Sequence, residues 1–150
     1  MAKLNKLIIG IDPGVKTGYA VWNKSQKKFE LVKTYKIHEA MKEIELMYDN
    51  INNHLFYTIT RIVVEDARLW TYHKKTSSAK LQGAGSIKRD CKIWEDFLND
   101  IFKNSGVEII FKKPNNHITK LTKEQFYKLT GFSGKTSEHA RDAAMLVYGL

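Results

Sequence analysis

Cysteine is almost absent from this chain. Cys91 is the only one, which excludes an internal disulfide and any zinc cluster built on cysteines. It falls in a helical stretch among apolar neighbours and reads as a small core residue rather than a nucleophile. Proline is nearly as scarce, with two in 150 residues, and there is no internal repeat, low-complexity tract or obvious linker. One domain spanning residues 1–150 is the expectation. No run approaches the roughly 18 apolar residues that a membrane span needs. The opening MAKLNKLIIGID holds too short an apolar stretch for a signal peptide, so a cytoplasmic protein without membrane partners is expected. Acids are also in short supply: 16 Asp plus Glu face 25 Lys plus Arg, a formal net charge of +9. Such a surplus on a small domain points to a polyanionic partner, nucleic acid above all, although a lysine-rich solvated surface carries the same charge.

What is present is a clear alternation of elements. Lys6–Ile11 is an apolar strand run stopped by Asp12-Pro13-Gly14, where proline and glycine force a turn. Tyr19–Trp22 and Phe29–Tyr35 read as two further strands around the polar turn Asn23–Lys28. From Ile37 the apolar positions Met41, Ile44, Tyr48, Ile51 and Leu55 follow helical spacing. Arg61–Glu65 is a β-branched run ending in an acid, and Ile87–Phe102 returns to helical spacing. Val107–Phe111 reads as a fifth strand. Thr122 and Gln125 form a capping box opening a short helix that Gly131 stops. A last helix is expected from Ser137, its N-cap, to Tyr148. Three early strands can form an antiparallel meander, whereas the fourth and fifth must join through crossover helices and so run parallel to the first. A mixed five-stranded sheet flanked by helices is the predicted α/β architecture.

Asp12 and Glu65 end strands one and four. If these strands are parallel neighbours, roughly 5 Å apart, both carboxylates emerge at one edge and disfavour each other's ionisation unless a cation neutralises them. Oxygen ligands suit Mg2+ or Mn2+. His139 and Asp142 share one face of the last helix, and Ala143 and Ala144 beside them let that helix pack close to the sheet. Each piece alone has a plain reading, as a turn residue, a solvated strand end or an exposed first helical turn. Their conjunction points to a metal site.

IIGIDPGVKTGYAV, VVEDA, LQGAGSI and SEHARDAAML occur in that order along the chain. They resemble, in turn, the first strand and turn, the fourth strand, the start of the central helix and the final helix of RuvC-type Holliday-junction resolvases. The resemblance implies a ribonuclease H-like fold and a dimeric endonuclease for branched DNA in recombination and repair, bacterial or phage-encoded. It also implies two divalent ions: Asp12 bridging both, Glu65 completing one shell, and His139 with Asp142 the other. Many members carry a carboxylate where this chain has His139, which bears on the choice between Mg2+ and Mn2+. Glu138 points elsewhere on the helix and reads as a favourable acid at a helix N-terminus.

Basic and aromatic residues cluster in the segments that should flank this edge. Arg68, Trp70, Tyr72, Lys74 and Lys75 follow Glu65 directly, a pattern suited to stacking on exposed bases while holding phosphates. Lys112, Lys113 and Lys120 follow strand five, and Lys135 precedes the last helix; by the resemblance Lys120 or Lys135 contacts the reacting phosphate and Lys120 is a catalytic candidate. Lys88 and Arg89 open the long helix and are further candidates for the DNA backbone. The large apolar residues Trp94, Phe97, Leu98, Ile101 and Phe102 of that helix suggest a surface beyond what one sheet face covers, hence a two-fold dimer. Two alternatives stand beside DNA cleavage: a ribonuclease H-like nuclease for structured RNA, and a catalytically silent nucleic-acid-binding module. An actin-like kinase would need a second lobe that 150 residues cannot supply.

Overall fold

The protein is described by a computed structural model at residues 4–53, 56–70, 77–115 and 120–150. Its elements are β1 (Asn5–Asp12), β2 (Lys16–Asn23), β3 (Lys28–Lys36), α1 (Ile37–Asn53), β4 (Tyr57–Glu65), α2 (Ser78–Ile101), β5 (Glu108–Lys112), α3 (Lys123–Thr130) and α4 (Glu138–Met145). A short 3-10 turn, Ala67–Leu69, follows β4. The strands form one sheet in the order β3-β2-β1-β4-β5. The β1–β2 and β2–β3 pairs are antiparallel, and β1–β4 and β4–β5 are parallel. The parallel pairs require crossovers, which α1 and α2 supply. This is the mixed α/β sheet, three antiparallel strands then two parallel, that the element order predicts.

β1 is the central strand. Leu7 through Ile11 are all buried, which explains why its sequence is a continuous apolar run rather than an alternating one. On one face Leu7, Ile9, Ile11, Ile62 and Val64 pack with Ile44 of α1 and with Trp94 and Leu98 of α2. On the other, Ile8, Ala20, Trp22 and Val63 pack with Phe126 of α3 and with Ala140, Ala143 and Ala144 of α4. None of the described helices is long and apolar enough to cross a membrane.

The approach of α4 to the sheet is unusually close, and small residues on both sides permit it. A Cβ added at Gly10 would collide with the carbonyl oxygen of Ala143, and one at Gly18 with that of His139. Gly10 pairs with Ala20 across β1 and β2, and Gly18 pairs with Asp12, so this face is a shallow trough. α4 lies in it with its alanines down. Ser137 caps the helix by accepting from the Ala140 amide at 3.1 Å, and its hydroxyl also bonds Thr34 of β3. The start of α4, which carries His139 and Asp142, is thereby tied to the sheet through the Ser137–Thr34 bond.

Several expectations change. α2 begins at Ser78, not Ile87, because Gly83 and Gly85, poor helix formers, conceal its first turns. α4 ends at Met145 rather than Tyr148, and β4 starts at Tyr57 rather than Arg61. The apolar surplus proposed for a dimer on α2 is consumed within the chain. Trp94, Leu98 and Phe102 are buried, and Phe97 and Ile101 pack against the same core. Among the described apolar side chains of this helix, Ile87 and Ile93 remain exposed. Cys91 is fully buried, as its apolar neighbours implied, and burial pushes its thiol up to about 11.

Candidate metal centre

Asp12 is the last residue of β1 and Glu65 the last of β4. The strands are parallel neighbours in register at Ile11 and Val64, so the two acids leave the sheet side by side. His139 and Asp142 enter from above, on the first turns of α4. His139 Nδ1 lies 3.2 Å from Asp12 Oδ2. Asp12, His139 and Asp142 each offer a ligand atom, and all three atoms lie within 4.8 Å of one another. The turn below is closed by Thr17, whose hydroxyl donates to Gly14 O at 2.8 Å.

The electrostatics are those of acids confined together. Burial is the main cause that pushes the Asp12 carboxyl up to about 6, and the charge of Asp142 adds to it, while His139 and Lys120 oppose it. Glu65 is pushed up to about 7, first by burial and then by Asp12 and Asp142, again against Lys120. A site that holds three carboxylates partly out of water, two of them at a cost to ionisation, stores affinity for a cation. The donor set of one imidazole and carboxylate oxygens fits a divalent ion, and the 4.8 Å spread of Asp12, His139 and Asp142 fits one ion directly. Glu65 stands beside this trio rather than within it.

Cations line the approach. A cavity of about 200 Å3 next to the acids is bounded by Glu65, Lys112, Lys113, Lys120, Arg141 and Asp142, among others. Lys120 Nζ pairs with Glu138 and lies 3.3 Å from Asp142 Oδ2. Lys113 Nζ sits 5.9 Å from the centre of the Trp70 ring, so strand five and the segment after Glu65 meet at the rim. A larger cleft, of about 460 Å3 between α1 and the β2–β3 side of the sheet, is walled mostly by aliphatic groups such as Leu7, Leu31 and Met47. It holds none of these acids.

The structure thus brings together Asp12, Glu65, His139, Asp142 and Lys120, with Lys112, Lys113 and Trp70 at the margin. Other expected contacts lie elsewhere. Arg68 does not project outward: it is engaged with Asp66 and Glu95. Lys88 and Arg89 are on α2, which packs on the opposite face from α4. Lys135 is exposed in the loop before α4 and does not line the cavity. Tyr72, Lys74 and Lys75 fall outside the described residues.

Sequence reasoning passed over four features here. Glu138, read as a helix-end acid, is the partner of Lys120. Arg141 donates to Leu121 O at 2.9 Å and to Thr136 O at 3.1 Å, fastening the segment that carries Lys120 onto α4. Its position between the two candidate ligands of the last helix was the available signal. Gly10 and Gly18 were the third feature, recognisable from glycines that flank Asp12 in sequence and across the hairpin. The Asp66–Glu95 pair around Arg68 was the fourth, and no local pattern announces it. No protein-family model matches this chain, and no curated protein matches it.

Proposed function

We propose that this protein is a divalent-metal-dependent endonuclease that hydrolyses phosphodiester bonds in branched DNA, in the manner of the resolvases its motifs resemble. The observation that carries the reading is the convergence of Asp12, His139 and Asp142 within 4.8 Å, beside Glu65 and a lysine-lined cavity. When bound, Mg2+ or Mn2+ supplies the Lewis acidity and the activated water that such hydrolysis needs. The residues of the chain do the rest. Asp12 and Glu65, pushed up by burial, are each half-protonated at about 6 and about 7 in the metal-free protein, so they bind the cation best above neutral pH. Lys112, Lys113 and Lys120 draw the phosphate into the cavity and hold it against the acids. Trp70 offers a ring face at the rim for a base that a branch point leaves unstacked. Branch selectivity comes from that ring, since charge contacts hold all DNA alike.

The test is cleavage of end-labelled four-way junctions, plain duplex and structured RNA in Mg2+ and in Mn2+. Junction cleavage that is lost in Asp12→Asn and retains duplex-binding affinity supports the reading. Preferential cutting of RNA would move the protein to the RNA-processing branch of the fold. Binding without cleavage in either metal would make it a silent binding module.

A further inference from the structure

The Arg68 guanidinium is spent on two carboxylates outside the acid cluster. Its Nη2 donates to Asp66 Oδ2 at 2.8 Å and its Nε to Asp66 Oδ1 at 2.9 Å. Nη1 donates to Glu95 Oε2 at 2.6 Å, so all three nitrogens are engaged. The plane lies over the Phe111 ring, 5.5 Å from its centre. Asp66 is the residue after Glu65 and its side chain is 3% exposed. It also accepts from the Arg68 amide at 2.9 Å, while its own amide donates to Lys112 O at 2.8 Å. Glu95 lies on α2, beside Lys92 at 3.8 Å. One turn earlier on that helix the Cys91 thiol donates to Glu65 O at 3.8 Å.

Three elements are therefore tied together at the point where the chain leaves Glu65: the end of β4, the end of β5 and the middle of α2. Turning the Nε–Nη2 fork to a phosphate would leave Asp66 buried and unpaired, and stranding a buried charge costs far more than a surface contact returns. The fork geometry matters as well, because a lysine ammonium cannot bridge both carboxylates in this plane.

We propose that Arg68 is a positioning residue: the Asp66–Arg68–Glu95 bridge sets the course of the chain beyond β4, keeping Glu65 at the acid cluster and Trp70 against Lys113 at its rim. The bridge makes residues 66–70 a fixed platform for a base and its phosphate. Its consequence for cleavage rests on the nuclease reading; its consequence for the loop does not.

The test uses Arg68→Met, Arg68→Lys and Glu95→Gln in the full chain, each checked for an unchanged far-ultraviolet spectrum. Of the three tryptophans, Trp22 and Trp94 are 4% and 0% exposed, so acrylamide quenching reports mainly on half-buried Trp70. The bridge predicts increased quenching in all three variants, with Arg68→Lys failing to restore the wild-type value. In duplex binding, the salt dependence should be unchanged in Arg68→Met, whereas loss of a phosphate contact lowers that slope by about 1. Junction cleavage should fall about tenfold or more in Arg68→Met and in Glu95→Gln, with the double variant no worse than either single one, as expected of groups acting as one unit. The proposal is overturned if Arg68→Met lowers the salt slope and Arg68→Lys restores it while Glu95→Gln behaves as wild type. If the wild-type protein neither binds nor cuts nucleic acid, the nuclease reading fails and the quenching comparison alone decides the bridge. Should Arg68→Met fail to fold, Glu95→Gln and Arg68→Lys carry the same comparison.

Discussion

Replacing Asp12 by asparagine removes a carboxylate whose side chain is only 13% exposed while keeping its shape and an oxygen that can accept from His139. Burial pushes this carboxyl from 3.8 to about 6. Each unit of such a shift corresponds to about 1.4 kcal/mol, so ionising Asp12 in the folded, metal-free protein costs on the order of 3 kcal/mol at most. A folded-state pKa raised above the unfolded one contributes stability that is fully present below the unfolded value, near 3.8, and is lost as pH rises through about 6. Asp12→Asn escapes that loss. In chelator at about pH 8 the variant should be more stable than wild type by about 1–3 kcal/mol, roughly 3–10 °C in a domain of this size. At pH 4 and below the two should melt together. Saturating Mn2+ reverses the order, because a ligand at about 1,000 times its Kd adds about 4.1 kcal/mol to the wild type and little to a variant lacking the ligand. The assay is thermal unfolding by circular dichroism across pH, with chelator or MnCl2. A variant that melts below wild type in chelator at high pH, or one that gains as much from Mn2+, would refute both the electrostatic argument and the ligand assignment.

The other predictions concern the same neighbourhood. Glu65, pushed up to about 7 in the metal-free protein, should make protons compete with the metal: at sub-saturating Mn2+ activity falls as pH drops through about 7, and this limb moves to lower pH as Mn2+ is raised; Glu65→Gln should lower the rate over the whole range and remove part of that limb. Lys120→Met frees Asp142 from an ammonium 3.3 Å away, so Mn2+ should bind several-fold more tightly by calorimetry while cleavage slows; equal or weaker metal binding would show that Lys120 does not compete. His139→Asp exchanges an imidazole nitrogen for a hard, charged oxygen donor and should shift the metal preference from Mn2+ towards Mg2+; an unchanged ratio of the two rates excludes His139 as a ligand. Gly10→Ala drives a methyl into the Ala143 carbonyl, and urea unfolding should register a loss of about 2–3 kcal/mol; a neutral result would mean α4 can lift without penalty.

What the sequence determined by itself was whatever local chemistry encodes. The buried run Leu7–Ile11, the Asp12-Pro13-Gly14 stop, the Thr122–Gln125 capping box with its Gly131 terminator and the Ser137 cap are short-range patterns. From these the element order, the sheet directions and the strand-end places of Asp12 and Glu65 followed. Tertiary structure decided whatever depends on partners distant in sequence. Trp94 and Leu98 could face a second subunit or the chain's own sheet, and only the packing of α2 on β1 and β4 selected the latter. Arg68 looked like a free cation because Glu95, 27 residues further on, is invisible to local pattern. Glu138 and Lys120 are likewise joined only when α4 settles into the trough that Gly10 and Gly18 leave open. Periodicity and capping report the backbone near each residue, whereas the partner of a long charged side chain is set by which helix the sheet brings within its reach.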